Sequence, residues 1–303
     1  MVNGLDPQSC FGFSITSEID LRFTRPGTSA DELAVVELRG APPDHDEPHL
    51  LDWTTPNGVA GRLFGGGHIY DFWADSVGWF RIAPFDRTVE VPASDQGIRR
   101  EVQLWGVPMM VTFTRLGDLS IHGAAVEHAG RAVIVAAPGM HGKTTLALAL
   151  HSAGYRLLTE DISRVRFQPD PVVMPGPAVV RMRTDALREV PLGMTEVASS
   201  ATRVNLEIDR DRRGTADPVP VAAVVLLRIG TDGGVRLERA EPMVALRDLW
   251  ALAFRIPQSD DRARAFEQLG DLVRAVPVYD LTRPLTFETL PEVVSRVAEL
   301  CES

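Results

Sequence analysis

Between Phe11 and Val91 the apolar residues come in short runs, FGFSI, ELAVVEL, GVAGRLF, HIYDFW, VGWFRI and VEV, separated by turn-forming residues. Runs of this length bounded by turn chemistry predict strands, so residues 1–95 read as an N-terminal β-rich domain. After the break PASDQG the spacing changes: from Ile98 to Phe113 apolar positions recur at three to four rather than two, through Val102, Leu104, Trp105, Val107 and Met109. That period predicts a helix interrupted near Pro108. Farther on, LSIHGAAVE (Leu119 to Glu127) predicts a strand, HAGR a turn, and the continuous apolar run AVIVAA (Ala132 to Ala137) a strand buried on both faces. Thr144 to Ser152 is helix-forming and closes at Ala153-Gly154, a glycine C-cap, before RLLTED (Arg156 to Asp161) returns to strand.

The rest of the chain continues the alternation. VAAVVLLRIG and VRLERA flank Thr231 to Gly234 (TDGG), a hairpin signal. Three stretches carry helical spacing: Met243, Leu246, Leu249, Trp250 and Ala253; Phe266, Leu269, Leu272 and Val273; and Leu290, Val293, Val294, Val297 and Leu300. Residues 96–303 therefore read as a second, α/β domain with helices packed on a sheet.

Composition narrows the function classes. The 303 residues are 45 % hydrophobic and 24 % charged, ordinary globular values that exclude a disordered chain. A net charge of -10 argues against a general nucleic-acid binder, which needs a basic face to compete for phosphates. The only two cysteines, Cys10 and Cys301, lack metal-ligand spacing and form no disulfide framework, which points to reducing cytosol. No window approaches the roughly 18 apolar residues of a membrane span, and MVNGLDPQSC lacks the pattern of an export signal. The expectation is a soluble cytoplasmic protein. GAPPDHDEPH (Gly40 to His49) holds two histidines but no third ligand at a fixed spacing, and reads as a solvated acidic loop.

The candidate chemistry lies at the junction of the buried strand and the helix after it. Of 31 Lys and Arg residues, Lys143 alone is lysine, within AAPGMHGKTTLALAL. Elsewhere the chain uses arginine for positive charge, so residue 143 is a place where an ammonium is wanted and a guanidinium is not. Ala137-Pro138-Gly139-Met140-His141-Gly142-Lys143-Thr144 fits the phosphate-loop form [AG]-x-x-x-x-G-K-[ST] between a strand and a helix. In that form backbone N–H groups and the helix N-terminus receive phosphate oxygens. Lysine reaches the β and γ phosphates as a compact charge, and the hydroxyl of Thr144, followed by Thr145, serves Mg²⁺. Phosphoryl transfer also needs a carboxylate for the metal and a group for the acceptor. Glu160-Asp161, 17 and 18 residues after Lys143, supplies an acidic pair at the end of the next strand, expected to lie beside the loop's own strand in a parallel sheet. Glu160 is assigned as the base and Asp161 to the metal, with the exchanged roles left open.

The run IHGAAVEHAGRAVIVAAPGMHGKTTLALALHSAGYRLLTEDI resembles the core of the HPr kinase/phosphorylase family and its HPr-kinase-related relatives. The family shares a phosphoenolpyruvate-carboxykinase-like P-loop kinase fold. It has a strand ending in His-Gly before the loop strand, matched by His122-Gly123, and two acidic residues after the loop helix, matched by Glu160-Asp161. The resemblance implies ATP and Mg²⁺ as cofactors, His122 near the transferred phosphate, and an active-site arginine at Arg247 in Met243 to Leu249. By itself, His122 also reads as a core histidine and Arg247 as a helix-surface residue beside Asp248. The opening FGFSITSEIDL is similar to HPr-kinase-related members found beside peptide-modifying genes, some of which phosphorylate a serine of a precursor peptide. The chain departs from HPr kinases in Met140 for a usual glycine, in Glu-Asp for two aspartates, and in PGPAVVRMRTDALREV, which lacks their glycine-rich signature. The resemblance thus implies the kinase reaction without HPr itself.

The leading expectation is an ATP-dependent kinase of a Ser or Thr hydroxyl in a peptide or small protein, with the β-rich unit presenting the acceptor or assembling a homo-oligomer. Two others stand beside it: a kinase of a free small molecule such as an amino acid or sugar, and a non-catalytic nucleotide-gated binding module. Arg181, Arg183 and Arg188, with Arg210, Arg212 and Arg213, form two basic clusters suited to an anionic acceptor segment or to solvated loops.

Overall fold

The computed structural model describes residues 7–39, 48–55, 58–75, 77–187, 191–231 and 233–302; most of the Gly40 to His49 segment and Arg188 lie outside them. The chain folds as a mixed α/β protein, rich in strands.

Nine strands make the N-terminal sheet: β1 (Gln8–Cys10), β2 (Phe13–Ser17), β3 (Arg25–Pro26), β4 (Glu32–Glu37), β5 (His49–Thr55), β6 (Gly58–Gly66), β7 (Ile69–Ala74), β8 (Gly78–Ala83) and β9 (Thr88–Val91). Their spatial order is β3-β1-β2-β4-β9-β8-β7-β6-β5. Neighbours are antiparallel except that β4 runs parallel to both β2 and β9. Period-two burial drives this: Leu33 and Val35 of β4 and Phe80 and Ile82 of β8 are buried while their neighbours are partly covered or exposed. The β6–β7 turn requires Gly65, at φ +119°, where a Cβ would lie 2.5 Å from the Ile69 carbonyl oxygen.

The stretch expected as one helix broken at Pro108 is two helices, α1 (Gly97–Leu104) and α2 (Val107–Leu116). The break falls at Trp105-Gly106. Pro108 sits in the first turn of α2, where its missing N–H removes no helical hydrogen bond. Leu104, Trp105, Met109, Val111 and Phe113 share one buried cluster with Phe13, Phe72, Phe80 and Ile82 of the N-terminal sheet.

The second part contains β10 (Leu119–His128), β11 (Arg131–Ala136), α3 (Lys143–Ser152), β12 (Arg156–Thr159), β13 (Ile162–Phe167), β14 (Pro171–Met174), β15 (Val179–Arg183), β16 (Met194–Ser199), β17 (Arg203–Ile208), β18 (Val219–Ile229), β19 (Arg236–Arg239), α4 (Pro242–Leu252), α5 (Ser259–Ala275), β20 (Val278–Arg283) and α6 (Leu290–Glu302). Six strands pair in the order β12-β10-β11-β18-β20-β19. β13 and β14 connect the starts of the long strands β10 and β18. β11 is buried on both faces, as its unbroken apolar run predicts. Val133 and Val135 share a buried cluster with Leu146 and Leu150 of α3 and Val293 and Val297 of α6; Ile134 shares another with Ala245 and Leu249 of α4 and Leu269 and Leu272 of α5.

The three C-terminal helices fall where the spacing places them, though Met243 and Phe266 face outward, 67 % and 52 % exposed. The expected hairpin around Thr231 to Gly234 is absent. β20 inserts between its two arms, parallel to β18 (Val224↔Val278) and antiparallel to β19 (Arg236↔Thr282). β18 is buried almost throughout and takes covered neighbours on both sides, which leaves the largely exposed β19 at the edge.

Arg25, 1 % exposed, ties the N-terminal sheet to the second part. Its Nε donates to the Gly176 carbonyl at 2.7 Å, its Nη2 to those of Leu157 and Leu158 at 2.8 and 2.9 Å, and its Nη1 to that of Arg213. Arg164 stacks on Phe13, 4.3 Å from the ring centre, and pairs with Asp118. Cys10 and Cys301 are buried free thiols. Among the described residues no helix is long and apolar enough to cross a membrane.

Candidate functional site

β11 ends at Ala136, residues 137–142 form a loop, and α3 starts at Lys143. Gly142 precedes the helix in the left-handed region, at φ +79°. A Cβ there would run into Nη2 of Arg283 and lie 2.9 Å from Cδ1 of Leu285. Gly142→Ala is therefore expected to destabilise the fold by about 1–2 kcal/mol from backbone strain alone, read as a lowered midpoint in thermal melts. Met140 also sits at positive φ, +67°, with its side chain 73 % exposed. His141 turns Nδ1 to the Gly139 carbonyl at 3.0 Å and takes no part in lining the cavity described below.

The acidic pair reaches this loop by a route the sequence did not suggest. β12 and β13 both pair with β10, the first along Ala125–Glu127 and the second along Leu119–His122. Glu160-Asp161 is the step between them, held by the Gly123 N–H on the Asp161 carbonyl at 3.0 Å and by the Ser163 hydroxyl on the Gly123 carbonyl at 3.0 Å. The acidic strand is thus not next to β11. Antiparallel β10 lies between, and its partner switch at Gly123 brings His122 in as well. A Cβ on Gly123 would be 3.2 Å from both Ile134 Cγ2 and the Val135 carbonyl oxygen, tighter than packing normally allows.

Lys143, only 6 % exposed, is the centre of the arrangement. Its Nζ donates to the Glu160 carbonyl at 2.9 Å and to Asp161 Oδ1 at 2.9 Å, with Glu160 Oε1 at 3.8 Å. Burial works against its charge, but Glu160 and then Asp161 outweigh it and hold the ammonium above its ordinary range. The Thr144 hydroxyl donates to Glu160 Oε1, and the Arg181 N–H approaches Glu160 Oε2 at 3.4 Å. His122 Nε2 lies 3.1 Å from Asp161 Oδ1.

The two carboxylates have opposite environments. The Glu160 side chain is 7 % exposed, and burial pushes its carboxyl up, opposed by Lys143 and assisted by Asp161. The Asp161 side chain stays 60 % open to solvent, and the desolvation it does suffer is outweighed by Lys143 and His122, which hold its carboxyl well below the usual range.

These groups face one cavity of about 490 Å³, lined also by Pro138, Gly139, Met140 and Thr145. Its far wall is β15 and β17 of a three-stranded sheet, with β16 outermost. Val180, Met182, Val204 and Leu206 point into the core, so the alternate residues Arg181, Arg183 and Arg203 point toward the cavity. Arg183 is paired with Asp185. Arg213 of the second basic cluster is not a surface residue: it is buried, donating to Glu207 and to the carbonyls of Ile208, Arg22 and Thr24.

Arg247 does not join the site. It lies on α4, which packs on the face of the sheet opposite α3, and its 72 %-exposed side chain donates to Asp248 at 2.7 Å. Arg283, at the end of β20, reaches the loop at Gly142, with Leu285, Thr286 and Phe287 after it. The spacing gave no sign of this. Only the strand order, which puts the C-terminal ends of β11, β18 and β20 on one edge, brings the segment there.

No protein-family model matches the chain, and no curated protein matches it. Among solved structures, that of the Hpr(Ser) kinase/phosphatase from Coxiella burnetii is similar, with a TM-score of 0.32 and 12 % identity, over 59 % of this chain and 94 % of that chain. The functional reading therefore rests on the geometry of the site itself, not on this likeness.

Proposed function

We propose that the protein is an ATP-dependent kinase that transfers the γ-phosphate to a hydroxyl, most suitably a Ser or Thr of a peptide or small protein, on a phosphoenolpyruvate-carboxykinase-like P-loop framework. The observation that carries this reading is the buried Lys143 at the start of α3, contacting both Glu160 and Asp161 while Thr144 hydrogen-bonds to Glu160. A helix N-terminus, a lysine, a hydroxyl and two carboxylates in one cavity are what phosphoryl transfer needs: charge for the phosphates, oxygen donors for a metal, and an acceptor base.

The donor set fits Mg²⁺, a hard cation that takes one or two carboxylate or hydroxyl oxygens and completes its shell with water and phosphate. Thr144 and Glu160 would hold it, and bound there it would offset charge on the phosphates. This exchanges the roles favoured by the sequence. Glu160 is the less accessible of the two, buried and accepting from the Thr144 hydroxyl. Asp161 is open to the cavity and hydrogen-bonded to His122, so it is the group that can take the acceptor's proton; geometry decides before pKa. A phosphate that drew Lys143 toward itself would relax the contact that holds the Asp161 carboxyl low.

Arg181, Arg183 and Arg203 on the wall of the same cavity favour an acceptor with acidic neighbours. Replacing Arg181 and Arg183 together by alanine is expected to raise the acceptor's KM severalfold with little change in that for ATP, an effect that shrinks as salt rises. The decisive assay is transfer of labelled γ-phosphate from ATP to acidic and neutral Ser- or Thr-containing peptides. If both are ignored while a free hydroxylated metabolite is labelled, the acceptor is a small molecule.

A further inference from the structure

The cavity contains a positive charge that the kinase chemistry above does not use. Arg283 is 2 % exposed, yet its Nε and Nη2 have no hydrogen-bond partner among the described residues, and its Nη1 reaches only the carbonyl of Pro284 at 3.2 Å. Burial alone depresses its basicity; no carboxylate contributes. A buried guanidinium without a counter-charge is costly, and chains keep one where an anion completes it. The other large buried arginines are answered within the protein, Arg25 by four carbonyls and Arg164 by Asp118.

The position says which anion. β20 runs parallel to β18, which runs parallel to β11, so Arg283 emerges on the same edge as loop 137–142. Its Nη2 lies where a side chain on Gly142 would be, directly at the N-terminus of α3. Lys143, on the other side, is engaged by Glu160 and Asp161. We propose that Arg283 is a phosphate-binding residue, whose free Nε and Nη2 edge receives the polyphosphate of the nucleotide opposite Lys143. A planar fork with two parallel donors suits two oxygens of a phosphate chain, whereas Lys143 supplies a point charge. The inference rests on the nucleotide reading of this cavity but not on transfer to an acceptor.

The test is calorimetric titration of the full chain and of Arg283→Met and Arg283→Lys with Mg-ADP, inorganic tripolyphosphate and adenosine, together with thermal melts without ligand. Arg283→Met is expected to weaken ADP and tripolyphosphate by about 10- to 100-fold, as loss of hydrogen bonds to a charged group does. Adenosine should change less than twofold, and Arg283→Lys should fall between. The unliganded Met variant should melt at or above the wild-type temperature, because it removes an unanswered buried charge. Unchanged polyphosphate affinity, or a lowered melting temperature with all three ligands weakened together, overturns the proposal in favour of a packing role. Wild-type protein that binds neither polyphosphate nor nucleotide overturns it along with the kinase reading. Arg283-dependent polyphosphate binding without phosphorylation of any acceptor sustains the proposal and ends only the kinase reading.

Discussion

Lys143→Arg is expected to lose nearly as much turnover as Lys143→Ala, about 10²- to 10³-fold, the scale of removing a charge-stabilising contact from a transition state. The reason is space as much as charge. Nζ lies 2.9 Å from both the Glu160 carbonyl and Asp161 Oδ1, with 6 % of the residue exposed. A guanidinium is wider, with donors fixed in a plane, and cannot enter that corner without displacing the Glu160-Asp161 step. Alanine fails differently, leaving two adjacent carboxylates without their cation, which drives one of them toward protonation. Steady-state turnover with a confirmed acceptor decides the matter. An arginine variant that kept most of the wild-type activity would show that only net charge is needed.

The second large effect separates the acidic pair. Asp161→Asn should lower kcat by about 10²- to 10⁴-fold, the range for a lost general base. Nucleotide affinity should change less than turnover, because in the proposed assignment the open Asp161 serves the acceptor and Glu160, with Thr144, the metal. Glu160→Gln should instead raise the Kd for Mg-nucleotide, since the amide no longer offers a charged oxygen beside Thr144. Binding measured with and without Mg²⁺, next to single-turnover rates, separates the two. If Glu160→Gln bound Mg-nucleotide normally and lost only the chemical step, the assignment would return to Glu160 as base.

How much of this was legible in the chain depended on whether the signal was local. The strands from Phe11 to Val91, the unbroken apolar run of β11 and the three C-terminal helices are written in periodicities of two and near 3.6, which side-chain direction imposes on any sheet or helix. Lys143 and Thr144 were visible because a loop between strand and helix has fixed local chemistry. What failed was pairing. The Thr231 to Gly234 turn gave no indication that β20, some 45 residues on, would take the place between its arms. The same blindness hid Arg283 and misplaced Arg247, since which face of a sheet a helix covers is set by long-range packing and leaves no mark on the helix's own spacing. His122 was singled out only through the resemblance. Its place beside Asp161 follows from β10 changing partners at Gly123, a three-strand property that no two residues encode.

Arg25 has a consequence for cooperativity. One side chain of the N-terminal sheet satisfies the carbonyls of Leu157 and Leu158, in the strand that ends one residue before Glu160. Pulling that sheet away would strand several buried acceptors at once and a buried guanidinium with them, a penalty far above that of an ordinary hinge. The lowest-energy openings of this molecule must therefore spare the seam between the sheets, and the acidic step inherits its rigidity from a residue more than a hundred positions away.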